Sequence, residues 1–194
     1  MKKIMVFVLF IICILPLFAD QTATTEDGCK VLLKDDGTWE YAEIEKTTKS
    51  EGKWVIDEKI NPVDDSRQIT FILVADQGKG TFSDPIGLIL RYKSEKTEIY
   101  ITWGSYLGSE AYVLTRFGER AASTMEWSLS NNSKGTFYPY PAKGVFGFIK
   151  NLTEVDRFLA QVTPYNENPI IAIFDVRGLK EAIAPYNDIL NWLE

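Results

Sequence analysis

Any chemistry in this sequence has to come from carboxylates, hydroxyls, lysines, arginines and tyrosines, because it contains no histidine. Without imidazole there is no Ser-His-Asp or Cys-His catalysis, no histidine metal ligation and no histidine pH switch. Two cysteines, Cys13 and Cys29, are too few for a thiolate zinc site or a disulfide scaffold within one chain. Paired carboxylates run glycoside hydrolysis, yet 27 acidic residues offer so many pairs that pairing alone singles none out. Asp35-Asp36 and Asp64-Asp65 lack the repeated D-x-D-x-D-G pattern of a calcium loop. Gly78-Lys79-Gly80-Thr81 lacks the earlier glycine of a phosphate loop, and Ser130 to Lys134 is turn composition rather than a Ser-Lys nucleophile signature. The sequence therefore points to no cofactor and no metal.

What remains is recognition. Tyr106, Tyr138 and Tyr140 are candidate contact aromatics. Arg91 and Arg116, with Glu98 and Asp175, are charged residues set inside strand-like segments. Such charges face solvent, form an ion pair that fixes sheet register, or read an anion. The formal charge of −6 argues against nucleic acid and anionic membrane surfaces as partners.

The elements that must position these residues are mostly strands. Thr97–Trp103 alternates, with Ile99, Ile101 and Trp103 on one face. Met125, Trp127 and Leu129 share a face in the same way along Met125–Ser130. Gln68–Ala75 is apolar on both faces, and Ile86–Tyr92, Tyr112–Phe117, Thr136–Tyr140, Arg157–Thr163 and Pro169–Val176 complete the set. Two helices are expected. One starts at Pro141 and carries Val145, Phe148, Ile149 and Leu152 at helical spacing; the other runs from Leu179, with Pro185 kinking it or starting a second segment. The fold class is mainly β: an antiparallel β-sandwich or strongly curved sheet with two short helices, one of them C-terminal. The 25 aromatics suffice for a sizeable core.

Four segments follow along the chain. Residues 1–19 have the form of a secretory signal peptide: Lys2 and Lys3, an apolar run from Ile4 to Phe18, and a cleavage position near Ala19. The run is short for a bilayer span, although an uncleaved anchor is the alternative. Residues 20–41 contain a β-hairpin from Cys29 to Tyr41, turning at Asp36-Gly37. Residues 42–52 are polar and have the character of a linker, and the main domain occupies 53–194. The hairpin is similar to a short "VLLKDDGTWEY" motif that follows signal peptides in bacterial envelope proteins.

The main domain resembles the VasI/TagO-like family of type VI secretion accessory proteins. The resemblance rests on Trp54, Asp64-Asp65-Ser66, Ile86 to Arg91, Lys96 to Trp103 and Leu107-Gly108. It continues through Val113 to Phe117, Trp127 to Ser130, Thr163-Pro164-Tyr165, Ile173 to Val176, Gly178-Leu179 and Trp192. The family carries a cysteine after the arginine of its L-x-L-R strand and another two residues before the final tryptophan. Here those positions hold Tyr92 and Leu190. The resemblance implies that the two lie close together, with the closing helix packing Leu190 and Trp192 against the Ile86–Tyr92 strand.

Taken together, these features imply an exported, periplasmic or secreted, non-enzymatic protein that acts on a protein partner in the cell envelope. Its membrane contact would come only through the signal segment, and its oligomeric state is open. A periplasmic module that binds a glycan or inhibits an envelope enzyme is the alternative, and a carboxylate-dependent hydrolase the third.

Overall fold

The computed structural model describes residues 21–24, 30–34, 36–41, 49–61, 64–139 and 142–193. The signal segment, Cys29, residues 42–48, Tyr140 and Pro141 lie outside the described residues. The chain forms two compact units, Met1–Glu43 and Ile44–Glu194.

In the first unit, β1 (Gln21–Thr24), β2 (Lys30–Leu33) and β3 (Trp39–Tyr41) make an antiparallel sheet in that order. The β2–β3 hairpin turns at Asp36-Gly37 as the sequence predicts. Gly37 adopts φ +81° and donates to the Lys34 carbonyl at 3.0 Å, while the Asp36 carboxylate accepts the Thr38 amide at 2.9 Å. Strand β1 is an addition that its polar sequence does not signal.

The second unit holds β4 (Lys49–Glu51), β5 (Trp54–Ile60), β6 (Arg67–Lys79), β7 (Pro85–Lys93), β8 (Lys96–Thr102) and β9 (Tyr112–Phe117). It continues with β10 (Ser123–Glu126), β11 (Ser128–Leu129), β12 (Gly135–Phe137), β13 (Arg157–Val162) and β14 (Ile170–Asp175). Helices α1 (Ala142–Thr153), α2 (Leu179–Ile183) and α3 (Asn187–Leu190) complete it. All the strands join one antiparallel sheet in the order β10-β9-β13-β14-β6-β7-β8-β12-β11, with β5 and β4 branching from β6. Only Trp127 separates β10 from β11, so the two ends of that order adjoin in the chain and the curved sheet is nearly closed.

Closure depends on β6. One edge pairs with β7 from Gln68 to Val74; the other pairs with β5 from Arg67 to Ile72 and then with β14 at Gln77↔Ile173. Between Val74 and Lys79 the register with β7 slips, the mark of a bulge that bends the strand from one half of the sheet into the other. Gly78 is the residue that permits this. Its φ is +95°, and a Cβ there would sit 2.2 Å from the Ile171 carbonyl oxygen.

The concave side is filled by cross-strand sets of buried residues. Ile56, Phe71, Leu90 and Ile99 lie opposite one another across β5, β6, β7 and β8; Leu73, Leu88 and Ile101 form the next row. Trp54, Trp103, Trp127 and Trp192 are fully buried. Three of them place the indole N–H on a partner: Trp54 on the Val176 carbonyl (3.2 Å), Trp103 on Thr136 Oγ1 (2.9 Å) and Trp192 on Thr97 Oγ1 (2.9 Å). Val145, Phe148, Ile149 and Leu152 form the buried face of α1, as their spacing predicts. The Phe148 ring touches Phe117, Phe158, Trp127 and Tyr138. The second helix breaks at Pro185 into α2, a 3-10 turn and α3. Leu190 is buried, and Trp192 packs on Phe71 at 5.4 Å. Phe71 faces Leu90 of β7, and Thr97, the hydrogen-bond partner of Trp192, faces Tyr92. The closing segment is thus docked over the second half of β7.

Two expectations change. Lys49–Glu51, inside the expected linker, pairs with Trp54–Ile56 as β4, because Gly52 supplies φ +60° at the first position of a two-residue turn. Met125 does not share the burial of Trp127. The strand splits at Trp127, whose amide donates to the Ala111 carbonyl, and Met125 on the β10 side is 44% exposed. Gly78→Ala is expected to destabilise the second unit by at least ~2 kcal/mol, through left-handed backbone and backbone overlap together. Chemical denaturation checks this against Gly147→Ala, where an added Cβ meets nothing within 4 Å.

Candidate functional site

On the convex side of the sheet, alternation sets Arg91 of β7 opposite Glu98 of β8, and Ile89 opposite Tyr100, which in turn faces Phe137 of β12. Arg91 Nε donates to Glu98 Oε2 at 2.9 Å, which fixes the guanidinium. Its Cζ then lies over the Tyr100 ring, 5.2 Å from the centroid, and Tyr100 stacks on Phe137 at 4.9 Å. Burial pushes the Tyr100 phenol above its ordinary pKa, partly offset by the Arg91 cation, so the hydroxyl keeps its proton at neutral pH.

Tyr100 and Phe137 are among the residues lining a groove of about 380 Å³. Asp84, Pro85 and Gly104, which lie at the β7 and β8 ends, and Asn132 and Lys134, from the turn before β12, complete much of its lining. The turn that carries Asn132 and Lys134 is held by its own hydrogen bonds: the Asn132 side-chain oxygen accepts from Ser130 Oγ (2.8 Å) and the Lys134 amide (3.1 Å). Among the described residues, the Asp84 carboxylate and the Lys134 ammonium have no ion-pair partner.

Next to the groove, three loops are tied together. Ser105 Oγ accepts the Thr81 amide at 2.7 Å, Thr81 Oγ1 donates to Glu167 at 3.2 Å, and the Tyr165 amide donates to the Tyr106 carbonyl at 2.9 Å. Each loop displays an aromatic ring. Phe82 is 94% exposed, Tyr165 60% and Tyr106 54%, the two tyrosines meeting edge to face at 6.1 Å. Phe82 and Ser83 both adopt positive φ, +60° and +66°. A bulky residue in that region costs ~1–3 kcal/mol, so the fold spends stability to hold an apolar ring in water.

Of the five residues singled out by the sequence, the structure describes four and separates them. Arg91 belongs to the groove platform and Tyr106 to the loop cluster. Tyr138 turns inward, half-buried against Trp127 (5.3 Å) and Phe148 (4.9 Å). Arg116 lies on β9, exposed and 3.3 Å from Glu119. Tyr140 lies outside the described residues. The sequence reading missed Phe82, Tyr100, Phe137 and Tyr165. Phe82 alone had a local signal, a large apolar residue set between the breakers Gly80 and Pro85.

The charged strand residue Asp175 has a structural role. Arg177 Nε donates to its carboxylate at 2.7 Å and Lys53 Nζ lies 3.3 Å away, while Lys53 also bridges to Asp76 at 2.6 Å. The Arg177 hydrogen bond holds the Asp175 carboxyl well below the usual carboxylate range, the opposite of what a general acid needs. Among the described residues, no group of three or more acidic or cysteine side chains could hold a metal ion.

A carboxylate with a lowered folded pKa contributes stability in full above its unfolded pKa of ~3.9, and loses it as pH falls toward the folded value. Asp175→Asn is therefore expected to cost ~1 kcal/mol at pH 7, and the gap to the parent should close between pH ~4 and ~2. Urea titrations across that range check it. Comparison of the chain with protein-family models, curated proteins and solved structures finds no match.

Proposed function

We propose that the chain is an exported, non-enzymatic envelope protein that acts by contact with a protein partner, in the manner of the type VI secretion accessory proteins its motifs resemble. The observation that carries this reading is Phe82: a ring 94% exposed, in left-handed backbone, on a loop braced by Ser105. Strain and apolar exposure both cost stability in the free protein. A partner that buries the ring recovers ~1.5–3 kcal/mol of apolar transfer, the scale of an interface hot spot. The bracing means that little order has to be imposed on binding. The signal-like residues 1–19 support the location, with cleavage near Ala19 and work in the periplasm or outside the cell. Among the described residues no helix is long and apolar enough to cross a membrane.

The charged groups favour contact over catalysis, because Asp175, Asp76, Glu98 and Glu58 are engaged by Arg177, Lys53, Arg91 and Arg67. A photo-crosslinking residue placed at Phe82, Tyr106 or Tyr165 in the producing cell should give one discrete heavier adduct in the envelope fraction. The same probe at Ile171, 51% exposed on β14, should not give it. Equal adducts at Ile171, or none at the three loop positions, would contradict the reading.

A further inference from the structure

We infer that the chain forms a weak two-fold dimer in solution, with β10 of one copy pairing antiparallel to β10 of a second copy. Strand β10 ends the sheet: it pairs with β9 alone, and the chain passes from it into β11 without the two strands pairing. The register fixes which of its backbone groups are free. The Trp127 amide donates to the Ala111 carbonyl at 2.9 Å, and this pair continues the β9–β10 register. In an antiparallel ladder, residues that bond the neighbouring strand alternate with residues that point away from it. Ser123 and Met125 therefore bond β9, and the N–H and C=O groups of Thr124 and Glu126 point outward. Among the described residues, nothing donates to these groups or accepts from them. Every residue from Ala121 to Glu126 is exposed. The strand also lacks the lysine, proline or bulge that commonly guards an edge.

The side chains of β10 select a second copy of the same strand. Pairing that uses both outward residues sets Thr124 of each copy opposite Glu126 of the other, each pair exchanging both of its N–H···O bonds. Met125 then meets Met125 on the two-fold axis, in the non-hydrogen-bonded position where side chains come closest. Met125 is 44% exposed, and this contact covers it. On the opposite face Tyr112, 57% exposed, stands across from Glu126 and so comes next to Thr124 of the second copy. No like charges face each other in this register. A slip of two residues one way sets Glu126 on Glu126, and the other way sets Glu126 against Ala122, outside the strand. A strand that pairs with its own copy closes after two chains, so no fibre follows. Strands β11 and β4 also have a single neighbour each, but they hold only two and three residues against four in β10. So short an edge buries less than a standard interface, which places the dimer in the weak class.

The inference does not rest on the protein-contact reading, which concerns Phe82 and its neighbouring loops. Its test is analytical sedimentation of the chain purified from the producing cell, from ~1 μM to ~1 mM. The parent should be monomeric at the low end and dimeric at the high end, with a Kd of ~10–500 μM. Met125→Lys and Met125→Glu, at an exposed position, should each weaken the dimer ~10-fold or more by setting like charges on the two-fold axis. An equimolar mixture of the two variants should recover association as a heterodimer. Thr124→Pro removes an outward N–H, keeps the β9 pairing and should also weaken the dimer ~10-fold or more. The Met125 variants decide the matter if Thr124→Pro fails to fold. Phe82→Gly should leave the dimer unchanged. A parent that stays monomeric to ~1 mM overturns the inference, as does a Kd unchanged in the Met125 variants, a mixture that associates no better than its components, or a dimer lost in Phe82→Gly.

Discussion

The structure depends on one strand serving two halves of a sheet. Strand β6 pairs with β5 and β7 along its first part, then bends at the Val74–Lys79 bulge to meet β14. A Cβ at Gly78 would strike the Ile171 carbonyl, so the junction exists only because that residue has none. From this bend follow the curvature, the near-closure of the sheet, and an interior wide enough for four buried tryptophans. The indole N–H of three of these tryptophans reaches the Val176 carbonyl, Thr136 and Thr97, so the core is pinned by hydrogen bonds as well as by burial.

The same bend shapes the surface. Immediately after Gly78 the chain turns through Gly80–Asp84, which braces on Ser105 and lifts Phe82 into solvent, while Asp84 and Pro85 join the lining of the convex groove. The loop that carries Phe82 and one part of the groove lining are therefore continuous with the bend. Cross-strand pairing does the rest. Arg91, Tyr100 and Phe137 come from three strands, and only the β7–β8–β12 register stacks them. The contact role proposed above needs no moving part and no titrating catalyst, which suits a chain without histidine.

Local pattern carried the elements well and the closure poorly. The alternation of Ile99, Ile101 and Trp103 and the helical spacing of Val145, Phe148, Ile149 and Leu152 each reported a buried face, because burial imposes those periods. Lys49–Glu51 gave no such signal; its pairing is a matter of backbone and of Gly52. The platform was illegible for a different reason. Tyr100 and Phe137 meet through register, and an isolated strand does not encode its partner. Tyr138 and Tyr106 look alike in sequence, yet the first fills the space beside Phe148 and the second stands on a loop. That distinction is tertiary. The motifs of the secretion-accessory resemblance fall on strands and turns and do not include Phe82 or Phe137.

If β6 unites the two halves, they have to unfold together. Native-state hydrogen exchange under increasing denaturant measures this directly. The most protected amides of β5–β8 and those of β13–β14 should merge into one isotherm, with the free energy and denaturant dependence of global unfolding. Two isotherms, with β13–β14 opening at lower free energy while β6 and β7 stay protected, would contradict the account: the halves would then be separate sheets in contact, and the bend at Gly78 a local detail.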